Sequence, residues 1–180
     1  MKLIILDRDG VINQDSDAYI KSPGEWVPIP GSLEAIARLN YAGYRVVIAT
    51  NQAGISHGLF DIETLNRIHE KMHRLTYEAG GAIEAIFFCP EADDNHPQRK
   101  PNPGMFEDLA VRLRIDLKGV PAIGDSLRDL QAARTVGARP ILVLTGKGQL
   151  TQQKLTTDFA NIEVFNDLSS TVDTLLAENN

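Results

Sequence analysis

Disulfides, membrane spans and a broad cationic surface are all missing from this sequence. The chain has a single cysteine, Cys89, so no intramolecular disulfide can form, and a reducing compartment such as the cytoplasm fits. No apolar stretch approaches the ~20 residues that span a bilayer. Lys2 precedes only a short apolar run before Asp7 and Arg8 interrupt, which does not read as a signal peptide. Lys and Arg number 18 against 24 Asp and Glu, for a net charge of −6. That balance argues against a nucleic-acid or anionic-membrane partner, while leaving room for a local basic pocket. Repeats, low-complexity tracts and linkers are also absent. The expectation is one monomeric domain over residues 1–180.

What is present is an alternation of short apolar runs and helical patterns. Residues 3–6, 45–50, 83–88, 120–123 and 140–144 read as buried strands, with a weaker one at 163–165. Helices are expected over 32–42 with Ser32 as cap, from Asp61 to residue 79, from Asn102-Pro103, over 126–136 and from 168. The order implies a parallel sheet covered by helices on both faces. Such sheets bind ligands beyond the C-terminal ends of their strands.

Four polar groups fall at those ends. They are Asp7 and Asp9, then Thr50, Asn51 and Gln52, then Arg99 and Lys100, then Asp125 and Ser126. Each alone has a plainer reading as a turn, a solvated loop or a helix cap, Ser126 with Asp129 resembling a capping pair. Their convergence on one crevice favours chemistry. Asp7 and Asp125 suit a shared magnesium ion, a hard cation that takes oxygen ligands. Two bare carboxylates at 4 Å would repel by about 4 kcal/mol at an effective dielectric of 20. With that repulsion offset, Asp7 can attack phosphorus as a nucleophile. Asp9 can serve the leaving group and then water as acid and base. Lys100, Thr50 and backbone N–H groups near Arg8 and Asn51 can hold the transferring oxygens. Arg99 offers a second cation, suited to a non-reacting phosphate.

The stretches DRDGVI, TNQ, RKP and GDSLRD resemble the four motifs of haloacid dehalogenase-like phosphatases. Within that superfamily LDRDGVIN, ATNQAGI, GLF, RKPNPGM, GDSLRDLQAA and LTGKG are similar to the D-glycero-D-manno-heptose-1,7-bisphosphate 7-phosphatase family, over roughly residues 1–148. The resemblance implies a three-layer α/β sandwich with a five-stranded, parallel, Rossmann-like sheet. Short spans between motifs leave no room for a large cap domain. It implies a cytoplasmic, magnesium-dependent phosphatase that removes the C7 phosphate through an aspartyl-phosphate, in ADP-heptose synthesis for lipopolysaccharide. Asp7, Asp9, Thr50 and Lys100 would be catalytic. Asp7, the backbone oxygen of Asp9 and Asp125 would hold the metal. Substrate contacts would fall on Arg8, on Asp15, Ser16, Asp17 and Ala18, on Asn51, Gln52 and Ala53, and on Arg99 and Ser126.

Two stretches depart from the family. Its zinc loop reads C-P-H and then C-x-C-R-K-P, whereas here Glu91, His96 and Gln98 stand at three of the four ligand positions. Gln is a poor zinc ligand, so zinc is not expected, and Pro90, Pro97, Pro101 and Pro103 are expected to restrict the loop instead. His57 occupies a position where Arg is common, and an exposed loop histidine is expected. His69 and His73, four apart on a helix, read as a surface pair. Two other functions remain open: a histidinol-phosphate phosphatase, which shares the motif set, and a phosphoacceptor (receiver-like) domain. The receiver is disfavoured because its acidic pair precedes its acceptor Asp, the reverse of the order here. A nucleic-acid 3′-phosphatase would use the same chemistry but is disfavoured by the acidic charge and the lack of a basic aromatic stripe.

Overall fold

The computed structural model describes residues 2–178. Its strands are β1 (Lys2–Leu6), β2 (Tyr44–Asn51), β3 (Ala85–Cys89), β4 (Pro121–Gly124), β5 (Arg139–Val143) and β6 (Glu163–Phe165). They form one six-stranded sheet in the order β3-β2-β1-β4-β5-β6. Every neighbouring pair is parallel. The expected five-stranded core is thus extended by one edge strand. β6 pairs with β5 from Ile141–Glu163 to Val143–Phe165, and Arg139 grips Glu163 through two 2.6 Å hydrogen bonds.

Strand alternation sorts the core into two layers. Ile4, Leu6, Val46 and Ile48 pack against α1 (Ser32–Tyr41), α2 (Ile62–Glu78) and α6 (Leu168–Ala177). Leu3, Ile5, Val47 and Ala49 face the other way, against α3 (Gly104–Leu113) and α4 (Leu127–Thr135). A short helix, α5 (Gly148–Gln153), follows β5; nothing in the sequence reading anticipated it.

Helix starts follow local chemistry, with two differences from expectation. Asp61 caps α2 by accepting from the Thr64 N–H at 2.8 Å. Ser32 lies inside α1, where its hydroxyl donates to the Ile12 carbonyl at 2.6 Å, and Gly31, at φ +84°, is the cap. At α3 the cap is Pro103, while the Asn102 amide reaches back to the Asp94 and His96 carbonyls.

The connection from β1 to α1 holds one 3-10 turn (Pro23–Glu25), and the loop from β3 to α3 holds no regular element. The C-terminal strand edge is therefore left open. The strand order reverses between β1 and β4, whose ends carry Asp7 and Asp125.

Candidate active site

A cavity of about 460 Å³ opens over those strand ends. Asp7, Asp9, Thr50, Asn51, Lys100, Asp125, Ser126 and Asp129 line its floor and walls. Parallel strands deliver these residues to one edge although they lie far apart in the chain.

The floor is an acidic cluster with one embedded cation. One carboxylate oxygen from each of Asp7, Asp125 and Asp129 lies within 4.8 Å of the other two. Lys100 Nζ sits 2.6 Å from Asp129 Oδ1, 2.7 Å from the Ala49 carbonyl and 3.1 Å from Asp7 Oδ1. Burial alone would lower the Lys100 pKa, but Asp129 and Asp7 outweigh it and raise the pKa, so the ammonium stays charged. The lysine's backbone is clamped as well. The Asn51 amide donates to the Lys100 carbonyl at 3.0 Å and accepts from its N–H at 3.1 Å.

Both oxygens of Asp129 are engaged. Its Oδ1 takes Lys100, and its Oδ2 accepts from Ser126 N–H at 3.0 Å and Ser126 Oγ at 2.7 Å. Asp7 and Asp125 keep free oxygens. Arg8 N–H donates to Asp7 Oδ1 at 2.8 Å, and Lys147 N–H donates to Asp125 Oδ2 at 2.8 Å. Burial, with repulsion from Asp129, pushes the Asp7 pKa up to about 7, Lys100 pulling against it. Burial, Asp129 and Asp7 push Asp125 up to about 8. Two carboxyls raised this far mark a place where a cation is wanted. Gly10 and Gly146 leave room for the Asp125 carboxylate, since a Cβ on either would lie 2.0 or 2.2 Å from Asp125 Oδ2. Acidic oxygens and no nitrogen or sulfur ligand fit magnesium.

Asp9 is held from below. Its Oδ1 accepts from Arg8 Nε and Asn13 Nδ2, both at 2.9 Å. Its Oδ2 accepts from Arg8 Nη2 at 3.0 Å and Gln52 Nε2 at 3.1 Å. The Gln52 amide also donates to Thr50 Oγ1 at 3.0 Å.

Comparison with known proteins matches the chain to a family. A pattern described as HAD-hydrolase-like matches residues 98–171, and one described as polynucleotide kinase 3 phosphatase matches residues 2–127. A relative from Bordetella bronchiseptica, named D-glycero-beta-D-manno-heptose-1,7-bisphosphate 7-phosphatase, is 62% identical over 152 residues, 84% of this chain and 85% of the relative. One of the same name from Pseudomonas aeruginosa is 47% identical over 175 residues, 97% of each chain. The chain belongs to this family of HAD-like phosphatases. A crystal structure of the family's D,D-heptose 1,7-bisphosphate phosphatase from B. bronchiseptica, complexed with magnesium and phosphate, superposes with a TM-score of 0.94 at 56% identity, covering 99% of both chains. The Burkholderia thailandensis enzyme gives 0.79 at 49% identity, covering 98% of this chain and 99% of its own.

Of the residues expected from the family motifs, Asp15, Ser16, Asp17, Ala53 and Arg99 line the cavity with the floor residues named above. Arg8, Gln52 and Ala18 do not. Ala18 is exposed outside the cavity. Arg8 and Gln52 are buried beneath it, at 0% and 2% exposure, so their side chains do not offer the expected substrate contacts. Alternation could have shown this for Arg8: it follows Ile4 and Leu6 and points into the α2 layer, opposite to Asp7.

Sequence reasoning missed several lining residues: Tyr19, Arg128, Lys147, Thr151, Lys154 and, in this role, Asp129. The stretch LTGKG carries the signal for Lys147. His69 is also a correction. It is buried, its ring 6.4 Å from that of Phe88 and its Nε2 3.1 Å from Arg8 Nη1. His73 and His57 are exposed, His57 standing 5.8 Å from the ring of Tyr19.

In the 90–103 loop Cys89 Sγ and His96 Nδ1 approach to 3.7 Å. Among the described residues no third Cys, His, Asp or Glu completes a metal cluster with them. The loop is tied by Asp94, which pairs with Arg99 at 3.0 Å and Arg128 at 2.8 Å, and by Asn102.

Proposed function

We propose that this protein is a magnesium-dependent phosphatase that removes the C7 phosphate of D-glycero-β-D-manno-heptose 1,7-bisphosphate, in ADP-heptose formation for the lipopolysaccharide core. The observation that carries the chemistry is the placement of Asp7. Its carboxylate faces the cavity, one oxygen bound by Lys100 and the Arg8 N–H, beside Asp125. The substrate follows the names of relatives at 47–62% identity across most of the chain.

Asp7, Asp125 and the backbone oxygen of Asp9 would hold the magnesium. When bound, it neutralises the acidic cluster and draws the phosphate dianion towards Asp7. Asp7 attacks phosphorus, forming an aspartyl-phosphate and releasing the C7 oxygen. Asp9 gives that oxygen a proton and later takes one from the attacking water. Lys100 and Thr50 hold the phosphoryl oxygens as charge moves across them. Asn51, called a substrate contact above, aims Lys100. Ser126 does so through Asp129. Asp15, Ser16, Asp17 and Ala53 shape the open side, where Arg99 and Arg128 offer two cations to the C1 phosphate. Lys147 pairs with Asp15 at 3.5 Å on the opposite rim. As proposed, the protein is a cytoplasmic monomer that acts on a small sugar phosphate, without nucleic acid, membrane or zinc. No helix among the described residues is long and apolar enough to cross a membrane.

The test is a four-substrate assay with magnesium: heptose 1,7-bisphosphate, fructose 1,6-bisphosphate, histidinol phosphate and a 3′-phosphorylated oligonucleotide. The expected result is a strong preference for the heptose in kcat/KM and no activity in Asp7→Asn. Preference for histidinol phosphate or the oligonucleotide would replace the substrate. One stoichiometric phosphorylation without turnover would point to a receiver-like domain.

A further inference from the structure

Arg8 is a fully buried cation whose side-chain partners lead away from the cavity to α2. Its Nε and Nη2 form a fork on the two oxygens of Asp9, at 2.9 and 3.0 Å. Nη2 also reaches Gln52 Oε1 at 3.2 Å, and Nη1 meets His69 Nε2 at 3.1 Å. A guanidinium has no acceptor, so Nε2 of His69 accepts and its ring proton sits on Nδ1. Burial, then the nearby Arg8 charge, holds the His69 pKa down to about 3, so the ring is neutral at working pH. A neutral ring brings no charge to the acidic site. What it contributes is direction: it anchors Nη1, the end of the planar guanidinium that Asp9 does not hold.

We propose that His69 is a positioning residue for Asp9: by fixing the Arg8 fork, it fixes the plane of the carboxyl that serves the leaving oxygen. The inference rests on the acid–base reading of Asp9 given above. The contact of Arg8 with Asp9 is directional because two donors meet two oxygens. Nη2 lies 2.9 Å from Oδ1 and 3.0 Å from Oδ2, and Nε lies 2.9 Å from Oδ1, which orients the carboxyl where one bond would set only a distance. Gln52 is the contact that can be released at least cost when Asp9 offers Oδ2 to the substrate. Its bond is the longest of the four on Asp9, and its amide keeps Thr50 as a second acceptor.

Leaving-group chemistry separates this role from general support of the fold. A sugar alkoxide needs a proton to depart, whereas 4-nitrophenolate leaves as a stable anion. The ratio kcat/KM covers steps only up to that departure, so it reports Asp9 as acid, not as the later base. Heptose 1,7-bisphosphate and 4-nitrophenyl phosphate are compared with magnesium for wild type, His69→Leu, His69→Gln, Arg8→Lys and Asp9→Asn. His69→Leu should lose about 10- to 100-fold on the sugar phosphate and about threefold or less on the aryl phosphate. His69→Gln, which restores an acceptor near the place of Nε2, should recover most of the loss. Arg8→Lys keeps charge without the fork, should show the same selectivity, and carries the comparison if His69→Leu does not fold. Equal losses on both substrates, or no loss on either, overturn the proposal. Equal losses in Asp9→Asn overturn the acid assignment beneath it instead.

Discussion

Lys100 and Asp129 form a buried ion pair with 2.6 Å between Nζ and Oδ1, and the same ammonium lies 3.1 Å from Asp7. One lysine thus links a structural acid to the proposed nucleophile. Removing Asp129 leaves a buried charge with weaker partners. With magnesium present, Asp129→Ala should cost about 3 kcal/mol, the lower end for breaking such a pair, since Asp7 and the Ala49 carbonyl still hold Lys100. Urea unfolding checks this, and kcat should fall with it. A loss near zero would show that Asp129 is dispensable to the lysine.

Metal removal should make stability depend on pH. The Asp7 and Asp125 pKa values, about 7 and about 8, lie above their ordinary value of 3.8. The folded chain therefore binds protons that the unfolded chain has lost. Stability from these groups is full below the ordinary carboxyl range and is lost as pH rises through 7 to 8. His69, lowered from 6.5 to about 3, gives the opposite slope, complete by its ordinary value. The clean window is thus from about pH 6.5 to about pH 8. In chelator the Tm should drop across it, and magnesium should flatten the drop. A flat profile in chelator would contradict the raised carboxyls.

The sequence exposed the strand ends because each apolar run stops at a polar residue, as Leu6 stops at Asp7 and Gly124 at Asp125. Parallel pairing then made convergence a matter of topology. Asp61 and the Ser126–Asp129 pair were legible as caps because both act within one helical turn. What was hidden depends on tertiary partners. Ser32 has the right chemistry for a cap, yet the Ile12 carbonyl claims its hydroxyl. Asp129 reads as a local partner of Ser126, and only the fold brings Lys100 to its other oxygen. His69 reads as exposed because no local pattern reveals that Arg8 comes down from β1 to meet it. The edge strand β6 is three residues long, too short to weigh against a five-stranded expectation.

Gly146 should tolerate no side chain. Its φ is +56°, and a Cβ would stand 2.2 Å from Asp125 Oδ2 and 2.5 Å from the Gly10 Cα. Backbone on one side and a proposed metal ligand on the other leave nothing flexible to move. Gly146→Ala should therefore displace Asp125, weaken magnesium activation at least tenfold on the order-of-magnitude scale of a misplaced ligand, and lower kcat. Magnesium titration of activity measures this. Wild-type activation by magnesium would show that Asp125 has room the geometry denies it.

The arginine pair of the 90–103 loop gives the last test. Asp94 is exposed, so its ion pairs add little to folding. They do set where Arg99 and Arg128 point, and the Arg128 Nη1 is also tied to the Lys100 carbonyl at 3.2 Å. If these arginines meet the non-reacting phosphate, freeing them weakens ground-state binding without touching Asp7 or Asp9. Asp94→Ala should then raise KM for the bisphosphate several-fold, leave kcat within a factor of about two and leave the Tm unchanged. A monophosphate of the same sugar should show no KM change, because it has nothing for the pair to hold. Equal KM increases for both sugars would assign the arginines to the reacting phosphate instead. Asp94 also holds the loop itself, together with the Asn102 amide. Elemental analysis of chelator-washed protein should accordingly find no zinc, with the KM for the bisphosphate unaltered by the wash once magnesium is restored.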